Sequence, residues 1–235
     1  CGRGDCVICR SCRSLGEVRS CRELYYGFAS GIEKTQDFPD LKPEFSFQLT
    51  PAQESAAMEL KTYVGRWLGQ YLKAEHYANK SALPRSPSHV LDGPACLVWA
   101  VCGAGKTEIA FEGLALALRI GLRVVFAIPR RDVVVELARR AKTAFPGIPI
   151  TTSYGGAHQP EKMGPLVIAT THQLLRFAQY FDLAILDEAD AFPYAGSAML
   201  YRAFQRAVRP GVSEYICRQR RTQPCCRRRA GELWG

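Results

Sequence analysis

Hydrophobic spacing along the chain changes period several times, and each change marks an element. After Thr50-Pro51, apolar residues recur at Ala56, Ala57, Leu60, Val64, Trp67, Leu68 and Leu72. That is a helical period, with Thr50 placed to cap and Pro51 at the first position, where a missing N–H costs nothing. Ala95 begins an apolar run of six that ends in a glycine-rich loop, and Ile109 to Ile120 follows at helical spacing until Gly121 stops it. Val124–Ile128 is an unbroken apolar run, as buried parallel strands show, Leu166–Ala169 and the largely apolar Phe181–Leu186 read as further buried strands, and Ile148–Thr152 reads as a short strand. Between the first of these and the short strand, Asp132–Ala144 reads as a helix turning V-V-V-E-L-A inward. Strands alternating with helices predict an α/β domain, a parallel sheet with helices on both faces. Residues 22–44 are polar and Pro-containing, a connector with room for one short hairpin. His76 to Pro94 reads as a loop, with His76 and His89 solvated.

Composition narrows the picture. The 235 residues suffice for one α/β domain and an appendage, and 47% hydrophobic content can fill a core. The formal charge of +9 favours a polyanionic partner, although six arginines against two glutamates after residue 210 carry four of those charges. No apolar run approaches the ~20 residues that span a bilayer. The chain opens on Cys1, inside a cysteine motif and without an initiator Met, so it reads as a piece of a longer protein. Five of the ten cysteines fall within the first 21 residues. In a cytosolic nucleotide-binding protein such clustering points to metal. Cys6-x-x-Cys9 supplies a zinc knuckle, Cys9-x-x-Cys12 serves equally, and Cys1, Cys6, Cys9 and Cys12 form the candidate zinc set. Cys21 is the weakest ligand, and an iron–sulfur site or no metal are the alternatives.

The chemistry concentrates at strand ends. Ala100 to Thr107, A-V-C-G-A-G-K-T, follows the first apolar run. Gly103 and Gly105 permit positive φ and, with Ala104, let backbone amides face a phosphate. Lys106 would reach the β- and γ-phosphates and the Thr107 hydroxyl would ligate Mg²⁺. D-E-A-D ends the Phe181–Leu186 strand, placing Asp187 to hold Mg²⁺ and Glu188 to orient and deprotonate a water. Gln53, one turn into its helix, could read both donor and acceptor of an adenine edge, or simply sit on a capped surface helix. Arg130 and Arg131 follow a strand at the sheet edge where ligands bind, so they are candidate phosphate contacts. Gly155 and Gly156 would admit a nucleic-acid backbone. Thr170 or Thr171 would cap a helix at the same edge, with Thr171 and His172 as further contacts.

Gln53, A-V-C-G-A-G-K-T, P-R-R, A-T-T-H-Q-L-L-R and D-E-A-D together resemble the first RecA-like motor domain of superfamily 2 helicases. Closer still, W-A-V-C-G-A-G-K-T-E, T-T-H-Q-L-L-R-F and F-D-L-A-I-L-D-E-A-D-A-F-P-Y resemble the ComFA family of late competence proteins. C-V-I-C-R-S-C-R-S-L-G-E-V resembles the inner half of that family's cysteine motif. The resemblance implies an ATP- and Mg²⁺-dependent motor that helps draw single-stranded DNA into the cytoplasm. It would work with the uptake machinery at the inner membrane face, and a second RecA-like domain would supply an arginine finger. It implies too that this chain alone binds ATP with little turnover. A zinc-bearing replication-restart helicase or a non-catalytic nucleic-acid-binding module are the rivals. Cys102 stands where that loop usually has a polar residue, a change that backbone gripping should tolerate.

Nothing after Pro210 fits the resemblance. Codons exist for Glu214–Pro224 that, read from the third base, give V-Y-L-S-A-T-P-N-P, a strand followed by S-A-T, the coupling motif expected there. The expectation is an out-of-frame, disordered tail over 211–235. It follows a partial zinc module at 1–24, a connector and helix at 25–93, and the ATP-binding domain at 94–210.

Overall fold

The computed structural model describes residues 7–8, 19–20, 36–78, 95–100, 103–157 and 162–219, without side chains at 71–78, 95, 99–100 and 210–219. Helix α1 is Pro51–Ala78 and strand β1 is Ala95–Ala100. Then come α2 (Lys106–Arg119), β2 (Val124–Ile128), α3 (Arg131–Ala144) and β3 (Ile150–Ser153). The remainder is β4 (Leu166–Thr170), a 3-10 helix Thr171–Arg176, β5 (Phe181–Leu186), α4 (Ala198–Ala207) and β6 (Val208–Gln219). The strands form one sheet in the order β1-β6-β5-β2-β4-β3, every pair parallel.

This order fixes the layers. The β1-α2-β2 and β2-α3-β3 crossovers run one way along the sheet, while those through the 3-10 helix and α4 run back. Right-handed crossovers therefore put α2 and α3 on one face and α4 with the 3-10 helix on the other. β2, β4 and β5 are buried at every position, as strands covered on both faces require. Helix α1 packs its Leu60 and Val64 on α2 at Gly113. The segment before it crosses the ends of the two helices on that face. Phe38 N–H donates to the Arg119 carbonyl (3.1 Å) and Glu44 N–H to the Ala144 carbonyl (2.8 Å). Arg119 Nε donates back to the Leu41 carbonyl at 2.7 Å. The connector thus satisfies carbonyls left orphaned at the C-termini of α2 and α3.

Several expectations are corrected. His76 belongs to α1, which runs on to Ala78 rather than giving way to a loop at 76. Of V-V-V-E-L-A, only Val134, Leu137 and Ala138 are buried, while Val135 and Glu136 face solvent, because a helix turns one stripe inward and not a run. Helix α4 was not anticipated, although Leu200, Ala203, Phe204 and Ala207 give it a buried stripe at helical spacing. The largest difference is β6. Residues 211–219 are not a structureless tail but the strand between β1 and β5, with Ala95–Ala100 paired to Glu214–Gln219 and Leu183–Leu186 to Ser213–Ile216. A strand in that slot satisfies backbone groups of buried β5 and of β1 at once. Residues 220–235 lie outside the described residues, as do Cys1, Cys6, Cys9, Cys12 and His89. Of the cysteine segment, Ile8 and Arg19 are described and form an antiparallel bridge.

Candidate functional site

The carboxyl ends of β1 and β5 are separated by β6 alone. Two strand spacings, ~10 Å, therefore part the start of the glycine loop from the start of D-E-A-D. Gly103 and Gly105 both hold φ +76, a conformation that is strained for a residue with a Cβ. Gly105 is the N-cap of α2, so Lys106 and Thr107 open the helix and its positive end lies at the loop. Ala100 closes β1, and half-buried Ala104 turns its carbonyl away from the helix toward α1.

That carbonyl meets Gln53. Gln53 Nε2 donates to the Ala104 carbonyl at 3.0 Å, its Oε1 accepts from Thr50 N–H at 2.9 Å, and Thr50 Oγ1 accepts from Gln53 N–H at 3.4 Å. Thr50 and Gln53 form a capping box, and the same amide ties α1 to the phosphate loop. A Cβ on Gly105 would lie 2.3 Å from Gln53 Nε2. One N–H and one lone pair of Gln53 are used within the protein, which leaves one of each for another partner.

Asp187 and Glu188 follow β5 immediately. Burial pushes the Asp187 carboxyl above its ordinary range, opposed by the Glu188 N–H, which donates to Asp187 Oδ1 at 2.8 Å, and by the positive fields of Lys106 and Arg140. Lys106 acting on Asp187 brings phosphate loop and D-E-A-D into one electrostatic site. Glu188 has φ +52, an unusual backbone for a non-glycine residue. Its carboxyl is raised by burial first, then lowered by Arg130 and raised by Asp187, Asp132 and Asp190. Behind the loop, Glu108 on α2 is buried and pairs with Arg140 on α3, bracing the first turn of α2.

The site fits Mg²⁺ with a triphosphate. A buried carboxylate held against its preference for the neutral form is what a divalent cation relieves, and Mg²⁺ needs only one or two protein oxygens beside phosphate and water. Asp187 and Thr107 are the residues that would supply that pair. Among the described residues no group of three His, Cys, Asp or Glu side chains could hold a metal without such a ligand. The described residues thus give the zinc expectation no support.

The second group of expected residues lines the same sheet edge. Arg130 and Arg131 are exposed, at the junction of β2 and α3, and Gly155 and Gly156 form an exposed turn after β3. Arg131 lies over the Tyr154 ring at 4.8 Å. His172 is half-buried, and desolvation lowers its pKa. Thr171 departs from expectation. It is 0% exposed and Thr170 makes no side-chain cap, so Thr171 cannot touch a bound strand in this conformation. The 3-10 helix is instead secured through Gln173, whose Oε1 accepts from Arg176 Nε at 2.8 Å.

Against known proteins, the DEAD/DEAH box helicase family profile matches residues 85–222. The chain belongs to that family. It is 39% identical over 201 residues to competence protein ComFA of Bacillus subtilis (strain 168), covering 86% of this chain and 37% of that protein. With competence protein ComFA of Streptococcus pneumoniae (strain ATCC BAA-255 / R6) it shares 37% over 203 residues, covering 86% and 39%. The chain thus spans somewhat over a third of the length of these relatives. Among solved structures, the SWI2/SNF2 ATPase core of Sulfolobus solfataricus in complex with dsDNA aligns with a TM-score of 0.51. That match has 13% identity and covers 78% of this chain and 34% of that one, a likeness of fold.

Helicase membership assigns the loop and D-E-A-D to an ATPase domain. Three contributors were missed from sequence: Arg140, Glu108 and Tyr154. Glu108 carries a signal, since a carboxylate one residue past the lysine and threonine of a phosphate loop repels the anion unless a cation answers it. Arg140, 32 positions on, has no such mark.

Proposed function

We propose that this chain is the nucleotide-binding half of an ATP-driven motor that moves single-stranded DNA, acting in uptake during natural transformation. The observation that carries the reading is that the glycine loop after β1 and D-E-A-D after β5 open on the same carboxyl edge of the sheet with β6 alone between their strands. Lys106 and the loop amides would grip the β- and γ-phosphates, and Thr107 and Asp187 would hold Mg²⁺, which neutralises charge on the phosphates when bound. Glu188 would orient the attacking water and take its proton, a role suited to a carboxyl raised toward neutrality by burial. Arg130, Arg131, Gly155 and Gly156 would meet the DNA backbone along the same edge.

The family resemblance supports the finer parts: a second RecA-like domain completing the ATP cleft, a zinc module of which Cys1, Cys6, Cys9 and Cys12 are a part, and work at the inner membrane face. An arginine finger from that second domain is worth ~10³- to 10⁵-fold, so this chain alone binds Mg²⁺-ATP and turns it over slowly. The test is binding of a fluorescent ATP analogue to the chain with Mg²⁺ or EDTA. Binding that needs Mg²⁺ and is lost in Lys106→Ala supports the reading. Binding indifferent to both, or none, refutes it.

A further inference from the structure

Arg130 and Arg131 are adjacent in sequence but do different things. Arg130 is the extended N-cap of α3 (φ −106, ψ 136) and Arg131 the first helical residue, so their side chains leave the backbone in different directions. Arg131 turns toward the exposed Gly155-Gly156 side and lies over Tyr154. Arg130 turns toward carboxylates. Its Nη2 donates to Asp132 Oδ2 at 3.1 Å, and its Nε stands 3.9 Å from Glu188 Oε2. That Glu188 oxygen is buried and accepts no hydrogen bond among the described residues. Arg130 is the cation whose field there opposes the burial.

A phosphate that takes the guanidinium fork competes with Glu188 for it. The contact to Glu188, at 3.9 Å, is an ion pair without a hydrogen bond. A nucleic-acid phosphate offers two charge-assisted bonds to the same fork, and the N-terminus of α3 favours an anion there as well. The side chain of Arg130 is 53% exposed, so a strand at the sheet edge can reach it.

We propose that Arg130 is a positioning residue that couples strand binding to hydrolysis: it clamps Glu188 while no strand is bound, and a backbone phosphate that takes Arg130 releases Glu188 to the attacking water. The inference rests on the ATPase reading above and adds a regulator to the same site. Asp132 competes for the same guanidinium and weakens the clamp.

The experiment is ATP hydrolysis by the intact protein that carries this chain, with and without a single-stranded oligonucleotide. Wild type, Arg130→Gln, Arg130→Lys and Asp132→Asn are compared. Arg130→Gln should raise the strand-free kcat about 2- to 5-fold, the worth of a half-exposed ion pair, leave the KM for ATP unchanged, and bring the ratio of stimulated to strand-free rates toward one. Arg130→Lys should keep most of the ratio, because a point charge still pairs with Glu188. Asp132→Asn should lower the strand-free kcat, and decides the matter independently should Arg130→Gln misfold. A purely structural role predicts instead a fall in both rates of Arg130→Gln with the ratio kept. That result, or a strand-free kcat that rises in Asp132→Asn, overturns the proposal. Wild type that binds Mg²⁺-ATP but ignores the oligonucleotide removes this coupling and leaves the nucleotide site standing. Wild type that does not bind Mg²⁺-ATP removes the site reading and the coupling with it.

Discussion

Replacing Gly105 by alanine separates two demands on one position. The φ of +76 is the first, and holding an alanine there costs about 1–2 kcal/mol. The loss of unfolded-state freedom returns about 0.4–1 kcal/mol of that. The second demand is space. The new Cβ would stand 2.3 Å from Gln53 Nε2, and since that nitrogen is the tip of a flexible side chain, Gln53 moves away. What is lost is its bond to the Ala104 carbonyl, worth about 0.5–1.5 kcal/mol. Gly105→Ala should therefore destabilise the chain by roughly 0.5–3 kcal/mol when the three contributions are combined. In a Gln53→Ala background the collision is gone, and only the backbone cost remains.

The assay is a double-mutant cycle in urea denaturation, read by circular dichroism on wild type, both single variants and the double variant. A coupling of about 0.5–1.5 kcal/mol is expected, the double variant being less destabilised than the sum of the singles. Additivity within about 0.3 kcal/mol would show that Gln53 does not pack on the loop. The same variants should weaken ATP-analogue binding, Gly105→Ala more than Gln53→Ala, because only the former distorts the residue from which α2 starts.

Three further outcomes follow. Asp187 has a folded-state pKa above its unfolded value, so its contribution to stability is full below the unfolded pKa of ordinary aspartate and is lost as pH rises through the raised value. Asp187→Asn, which keeps the oxygen that accepts the Glu188 N–H, should thus raise the melting temperature at pH 7, narrow the gap at pH 4, and abolish Mg²⁺-dependent nucleotide binding; equal melting at pH 7 would refute it. At the opposite end of β5, Asp182 is 0% exposed, with Arg209 Nε 3.4 Å from its Oδ1 and Arg123 N–H donating to its Oδ2 at 2.9 Å. Arg209→Ala takes one cation from that buried carboxylate and should cost more than about 1 kcal/mol, and at most about 3–5 kcal/mol, in urea denaturation; a smaller loss would refute the pairing. The nucleotide sequence checks the tail: codons 214–224, read from the third base, should give V-Y-L-S-A-T-P-N-P, and codons that offer no such reading dispose of the out-of-frame expectation.

Where sequence and structure agree, the reason is local chemistry. Val124–Ile128 and Phe181–Leu186 are apolar at nearly every position and are strands at those limits, because a run of that length without polar relief must be covered on both faces. The glycine loop was legible because its φ values require glycine and its lysine follows at fixed spacing. Long-range pairings were not legible. Glu108 with Arg140, Arg131 with Tyr154 and Gln53 with Ala104 depend on which helix lands on which strand, and hydrophobic period carries no information about that. Thr171 failed for a related reason: strand-end position predicts proximity to a ligand edge, but the 3-10 turn after β4 rotates this residue into the core. β6 is the instructive case. Its residues, E-Y-I-C-R-Q, have little strand character of their own, yet they fill the position between β1 and β5. The pairing groups are backbone, and buried β5 must find partners along both of its edges. The slot beside β5 is thus filled by backbone pairing, for which the side-chain pattern of these residues gave no sign.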